Sequence, residues 1–248
     1  MMGNSFAQSA FQTLFNTIYP PQCVCCGAVV MQRGALCPDC WREAHFITGV
    51  ICDSCGTPLV GPNTGDVEIC DDCMTTARPW DKGRAVFLYK GTGRRLVLGL
   101  KHADRTEVSP VAARWIRAVC SDVITPDTLI APIPLHWTRF AKRRYNQSAL
   151  LGADLARITG LQYVPDLLIR HRRTKSLDGK TKSQRFEILD NAMKINKKFA
   201  QKIAGRDILL VDDVMTTGAT FASAADLCRR AGVNSIAIVA LARVAKDA

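Results

Sequence analysis

The rhythm of apolar and polar positions along this chain changes near residue 80. Before it, apolar residues are scattered among Gly, Pro, Asp and Cys, with little helical periodicity after residue 20. Ahead of that, Phe11, Leu14, Phe15 and Ile18 share one helical face, a spacing that suits a docking helix or one packed on its own domain. From about residue 85, short apolar runs alternate with amphipathic stretches. Arg84–Tyr89 reads as a strand, and Arg94–Lys101 and Val108–Cys120 read as helices. Thr128–Pro134 is a short apolar strand closed by prolines, and a helix is expected from about Asn146 to Thr159. Asp207–Asp213 is an apolar strand ending in acids, Thr220–Ala231 a helix stopped by Gly232, and Ser235–Leu241 another apolar strand. Fully apolar short strands separated by helices predict an α/β fold whose parallel sheet is covered on both faces.

Charge sharpens that division. The 248 residues carry 33 Lys+Arg against 22 Asp+Glu. Residues 1–80 hold three basic and seven acidic residues, whereas residues 81–248 hold 30 and 15. The expected domains are therefore 1–80, a small front module, and 81–248, a basic body. A segment as short and as rich in Gly, Pro and Asp as the front module cannot bury enough apolar surface and needs another source of stability. Residues 139–198 alone carry 15 basic and five acidic side chains, which invites phosphate-rich partners. The chain has no apolar run of about 18 residues, so no membrane span is expected. The first residues place no basic group ahead of an apolar core, so a cytoplasmic location is expected.

Nine of the 11 cysteines lie before residue 80, eight of them in four Cys-x-x-Cys pairs: Cys23/Cys26, Cys37/Cys40, Cys52/Cys55 and Cys70/Cys73. Two thiolates three positions apart on a tight turn reach one tetrahedral ion, and two such turns complete a Cys₄ shell. Two structural zinc sites follow, closed to catalysis and able to hold a module with little core. An iron–sulfur cluster is the competing occupant. Sequential pairing is the simpler arrangement, interleaved pairing the alternative, and Cys25 sits where it could replace a ligand. Cys120 and Cys228 fall at apolar helical positions and read as buried small hydrophobes.

The strongest functional signal is Ile208-Leu-Leu-Val-Asp212-Asp213-Val-Met-Thr216-Thr217-Gly218-Ala219-Thr220. An apolar strand delivers two carboxylates to its C-terminal edge, where parallel α/β sheets bind ligands. The turn that follows opens a helix, and its hydroxyls and backbone N–H groups make an anion cradle. Carboxylates for ribose hydroxyls beside a nest for a phosphate describe a ribose-5-phosphate site. The stretch resembles the phosphoribosyl diphosphate (PRPP) motif of type I phosphoribosyltransferases. That resemblance implies a type I phosphoribosyltransferase-like sheet behind a double zinc ribbon, with Mg²⁺ carried on PRPP and Asp212 and Asp213 on the ribose. It also implies that Pro132, Ile133 and Pro134 receive the pyrophosphate through stiffened backbone. Arg139, Lys142, Arg143 and Arg144 then supply a mobile basic segment, with Arg143 joining the aspartates as a catalytic candidate. The plain reading of that run is a solvated helix end.

The combination of double zinc ribbon and transferase-like domain resembles the ComF family, whose members include competence proteins of DNA uptake. Tyr19-Pro-Pro-x-Cys23, Leu36-Cys-x-x-Cys40-Trp41, Tyr89-x-Gly91, Leu100-Lys101-His102 and Pro132-x-Pro134-Leu135 carry the likeness. Arg143-x-Tyr145-Asn146-Gln147 resembles the family's Arg-Gly-Phe-Asn-Gln. One stretch departs: Arg170, Arg172, Thr174 and Arg185 are kept, but Leu177, Ile188 and Asn191-Ala-Met193 differ from the family pattern. The resemblance implies a PRPP-binding protein that acts on single-stranded DNA, with a DNA-uptake helicase or processing protein as partner. The alternatives are an active phosphoribosyltransferase on an unidentified acceptor, or a zinc-module scaffold.

Overall fold

A computed structural model describes residues 19–62, 65–172 and 192–245, and for Arg139, Phe140 and Lys142 the backbone alone. The helical face expected at Phe11–Ile18 lies outside the described residues. Among the described residues the elements run α1 (Pro38–Arg42), α2 (Asp71–Thr75), β1 (Lys82–Leu88), α3 (Gly91–His102), α4 (Val108–Val119), β2 (Leu129–Pro132), α5 (Trp137–Arg143) and α6 (Gln147–Thr159). They continue through β3 (Gln162–Tyr163), β4 (Leu168–Arg170), β5 (Met193–Ile195), α7 (Lys197–Ala200), β6 (Asp207–Met215), α8 (Ala219–Arg230) and β7 (Ser235–Arg243). Five strands form one parallel sheet in the order β1-β7-β6-β2-β3, while β4 and β5 make a separate antiparallel pair.

Both faces of such a sheet must be covered, because its apolar strands carry no polar side. On one face α3, α4 and α6 bring Leu96, Leu100, Ile116, Leu151 and Leu155 onto Phe87, Ile130, Leu209, Val211 and Val239. On the other, α8 sets Phe221, Ala225 and Cys228 against Ile208, Leu210, Ile236 and Ile238. One helix cannot span that face. The front module completes it: Cys52, Cys55, Cys73 and Trp80 join the same core, with Leu168 and Met193 of the small pair.

The front module also closes an edge. β1 is the outermost strand, and its free side receives Ile47 N–H on Val86 O (2.8 Å) and gives Gly83 N–H to Asp53 O (2.7 Å). Pairing these groups blunts an edge that would otherwise template aggregation. The approach is close enough to require glycine at 83, where a Cβ would stand 2.6 Å from the Ser54 carbonyl oxygen. Beside it, the buried Arg84 guanidinium bridges Asp53 of the front module (2.9 Å) and Asp122 after α4 (2.5 Å).

The long elements form where hydrophobic rhythm predicts them, though β6 and β7 each run two residues further. β3, β4, β5 and α7 were not anticipated. The basic run after Pro134 is helical over Trp137–Arg143 as α5, in keeping with the plain reading of a helix end.

Candidate functional site

The cysteines assemble in chain order. Cys23, Cys26, Cys37 and Cys40 bring their sulfurs together, and so do Cys52, Cys55, Cys70 and Cys73, each set lying within 4.8 Å. A tetrahedral ion with Zn–S near 2.3 Å needs sulfurs about 3.8 Å apart. Cys26 and Cys37 stand at 3.6 Å, as do Cys55 and Cys70. A cage of this size encloses one ion and leaves no room for a multi-iron cluster, so the donor set fits two zinc sites. Backbone N–H groups of Cys25 and Cys37 point at Cys23 Sγ (3.4 and 3.3 Å), which stabilises thiolate character. Cys25 thus acts through its backbone and is not a ligand. Pairing is sequential and not interleaved. Cys120 and Cys228 are fully buried in the body.

The second site is built at the C-terminal edge of the sheet, around the end of β6. β2 and β6 pair with Pro132 opposite Val211, so the Pro132–Pro134 loop and Asp212 leave adjacent strands side by side. Asp212 Oδ1 accepts from Ser148 Oγ at 2.6 Å and from the Asp213 N–H at 2.8 Å. Asp213 Oδ1 lies 3.2 Å from Lys101 Nζ, both largely buried. Burial, and then the Asp213 charge, pushes the Asp212 carboxyl up to about 7, against the lowering pull of Ser148 and Lys101. Beyond Met215 the chain turns through Thr216 and Thr217 to Gly218, which caps α8 in the left-handed region (φ 81°). A Cβ there would meet the flexible end of Met215 (Cε, 2.9 Å) and Trp80 Cη2 (3.0 Å), so it is the positive φ above all that favours glycine. The first N–H groups of α8 have no acceptor within the helix and carry its positive end.

Comparison with known proteins places this arrangement. A double zinc ribbon domain model matches residues 14–74, and a phosphoribosyl transferase domain model matches residues 146–248. DNA utilization protein YhgH of Salmonella typhimurium is 28% identical over 227 residues, covering 89% of each chain. Competence protein F of Haemophilus influenzae is 26% identical over 228 residues, covering 90% of this chain and 96% of that one. The adenine phosphoribosyltransferase of Streptomyces galbus is 34% identical over 92 residues, 37% of this chain and 48% of that one. Both domain models and these near full-length relatives agree with the ComF resemblance.

The ComF motifs that carry no reactive group turn out to hold the site in place. Asn146 caps α6 through its side chain, and its Nδ2 donates to Ile133 O at 2.9 Å, pinning the proline loop. Tyr145 Oη and Gln147 Nε2 both donate to Leu100 O (2.7 and 3.2 Å), which fixes the end of α3 from which Lys101 reaches Asp213. Arg144 stands where the family pattern has glycine, and its backbone keeps the glycine-like φ of 66° that ends α5.

The proline loop corrects one expectation. The loop backbone was expected to receive pyrophosphate, yet the Ile133 N–H extends the ladder to Val211 O at 2.9 Å, and the side chain is buried. Pro132 and Pro134 have no N–H, so these three residues shape the loop rather than donate from it. Arg143 is half-buried and donates to Gln147 Oε1 at 3.3 Å, one residue from Ser148. Arg144 is exposed, and for Arg139 only the backbone is described. Thr216 is exposed, Thr217 and Thr220 are half-buried, and Ala219 is buried. Thr174, Leu177, Arg185, Ile188 and Asn191 lie outside the described residues. Sequence reasoning missed Lys101, Ser148 and Arg78. Lys101 at least stood inside a quoted ComF motif, whereas no local pattern marks Ser148 or Arg78. Among the described residues no helix is long and apolar enough to cross a membrane.

Proposed function

We propose that this protein binds Mg²⁺-bound PRPP at the C-terminal edge of its sheet and works in the cytoplasm on single-stranded DNA entering or processed by the cell. One observation carries the ligand: two neighbouring carboxylates at the end of β6, followed at once by a left-handed glycine and the N-terminus of α8. Asp212 and Asp213 accept hydrogen bonds from ribose hydroxyls, and Thr216–Thr220 cradle the 5-phosphate. Arg143 and Arg144, with the loop shaped by Pro132–Pro134, serve the diphosphate and its Mg²⁺, and Arg139 is assigned to the same role by its place in the basic run. The DNA role rests on the names of the relatives, one a DNA utilization protein and one a competence protein. The basic excess of residues 81–248 suits contact with a phosphate backbone. The acidic front module is left for a protein partner, a helicase or processing factor of uptake.

Calorimetric titration with PRPP and Mg²⁺ tests the ligand. Binding is expected, together with loss of at least tenfold in affinity for Asp212→Asn plus Asp213→Asn. No heat, or binding indifferent to the double change, overturns it. Single-strand affinity is expected to fall steeply between 50 and 200 mM salt. A second reading, transfer of the phosphoribosyl group to a base, draws on the 92-residue likeness to an adenine phosphoribosyltransferase. Pyrophosphate release that depends on an added nucleobase would favour it.

A further inference from the structure

Arg78 connects the two sites. Its side chain is 3% exposed. Its three nitrogens make three contacts, two on the second knuckle and one on the loop after β6. Nε donates to Cys73 Sγ (3.4 Å), a ligand of the second four-cysteine site. Nη2 pairs with Asp72 Oδ2 (3.0 Å), on the same knuckle. Nη1 donates to the carbonyl oxygen of Thr217 (3.0 Å), in the middle of the phosphate loop. The guanidinium also stands 5.5 Å over the Trp80 ring, whose Nε1 is tied to Ser54 O beside Cys55. The second ribbon therefore forms the back wall of the loop.

The bond to Thr217 matters because a trans peptide is planar, with its C=O and N–H pointing to opposite sides. Holding the Thr217 carbonyl toward Arg78 turns the Gly218 N–H away from the ribbon. In the phosphoribosyl-phosphate reading that is the side on which the anion sits. Gly218 permits the geometry at φ 81° but does not enforce it, since glycine visits both signs of φ freely. Something outside the loop must choose the orientation, and Arg78 is placed to choose it.

We propose that Arg78 is a positioning residue that couples metal occupancy of the Cys52/Cys55/Cys70/Cys73 site to anion affinity at the Thr216–Thr220 loop. This rests on the phosphoribosyl-phosphate reading of that loop. With the ion bound, Cys73 and Asp72 stand where they fix Arg78, and Arg78 fixes the Thr217–Gly218 peptide. When the ion is lost, the anchor is lost and the peptide is free to turn. Coupling of this kind is reciprocal, so ligand on the loop also favours retention of the ion. The first cysteine site packs in the other core, through Cys23, Cys37 and Cys40, which makes that site an internal reference.

The test uses the full chain loaded with two zinc ions. Arg78→Met is expected to keep both ions by metal analysis, bind PRPP·Mg²⁺ at least tenfold more weakly, and exchange amide hydrogens of residues 214–222 faster. Arg78→Lys, which keeps the charge but not the three-way fork, is expected to fall between. A folded two-zinc Arg78→Met protein with unchanged affinity and unchanged loop exchange overturns the proposal while leaving PRPP binding intact. If that variant loses metal or fails to fold, the wild type decides. Saturating PRPP is expected to slow chelator extraction of one of the two ions, and equal extraction with and without PRPP overturns the coupling. If the wild type shows no PRPP binding, the functional reading fails, and loop exchange in Arg78→Met against wild type decides the positioning role alone.

Discussion

Asp212 is held against its own chemistry. A carboxyl that sits near 3.8 in water is pushed up to about 7 here, by burial first and by Asp213 second. Below about pH 4 the group is protonated in folded and unfolded chains alike and costs nothing. As pH rises from 4 to 7 the unfolded chain releases its proton first, so folding loses stability, and above 7 the full penalty stands. Asp212→Asn is therefore expected to raise the melting temperature at pH 8, by roughly 2–4 °C for each kcal/mol relieved in a chain of this size, and to change it little at pH 4. Thermal scans at the two values check the sign, and an equal effect at both would show that burial of charge is not the cause. PRPP binding should strengthen as pH rises through 7, because the ionised carboxylate is the better acceptor. The two aspartates were legible in the sequence because an apolar strand, two acids and a Thr-Thr-Gly turn are contiguous. Lys101, Ser148 and Arg78 were not, because each reaches the site from an element distant in sequence, and one-dimensional spacing carries no trace of that meeting.

Elements show the same limit in another form. Every helix of 12 or more residues and every long strand follows from hydrophobic period, since each buries a whole face in one core. The two-residue β3 and three-residue β4 and β5 are too short to establish a period, and only their partners define them. Joints between elements are subtler still. Gly83 lies inside β1, where a glycine normally weakens a strand, and nothing local says why it is there. Its reason is the Ser54 carbonyl at 2.6 Å and the Cys55 backbone at 3.0 Å from a would-be Cβ. Gly83→Ala is expected to cost about 1–3 kcal/mol by forcing rigid backbone apart. Metal analysis after a mild chelator wash should show earlier loss of the second zinc, and an unchanged melting temperature would mean that the knuckle yields without strain.

Across the whole molecule an acidic head is set into a basic body, and zinc deepens the contrast. Eight thiolates with two zinc ions add about four negative charges to a front module that already carries seven acids against three bases. Yet head and body do not behave as beads on a string, because the head supplies one edge and part of one face of the body's sheet. Residues 81–248 expressed alone are expected to aggregate through the bared edge of β1 and the uncovered apolar face. Size-exclusion chromatography checks this, and a clean monomer peak would show that the head is dispensable for the fold. The same strand has a consequence for how the chain is made. Its inner side pairs with the last strand of the sheet, Lys82 opposite Ala237, whereas its outer side pairs with residues made before it. A ribosome therefore releases β1 with one neighbour already in hand and the other, whose Ala237 pairs with Lys82, far downstream in the chain. During that wait the metal-bound head is the strand's guardian, so a cell short of zinc should lose this protein during synthesis, to proteases, before it loses it from the finished pool.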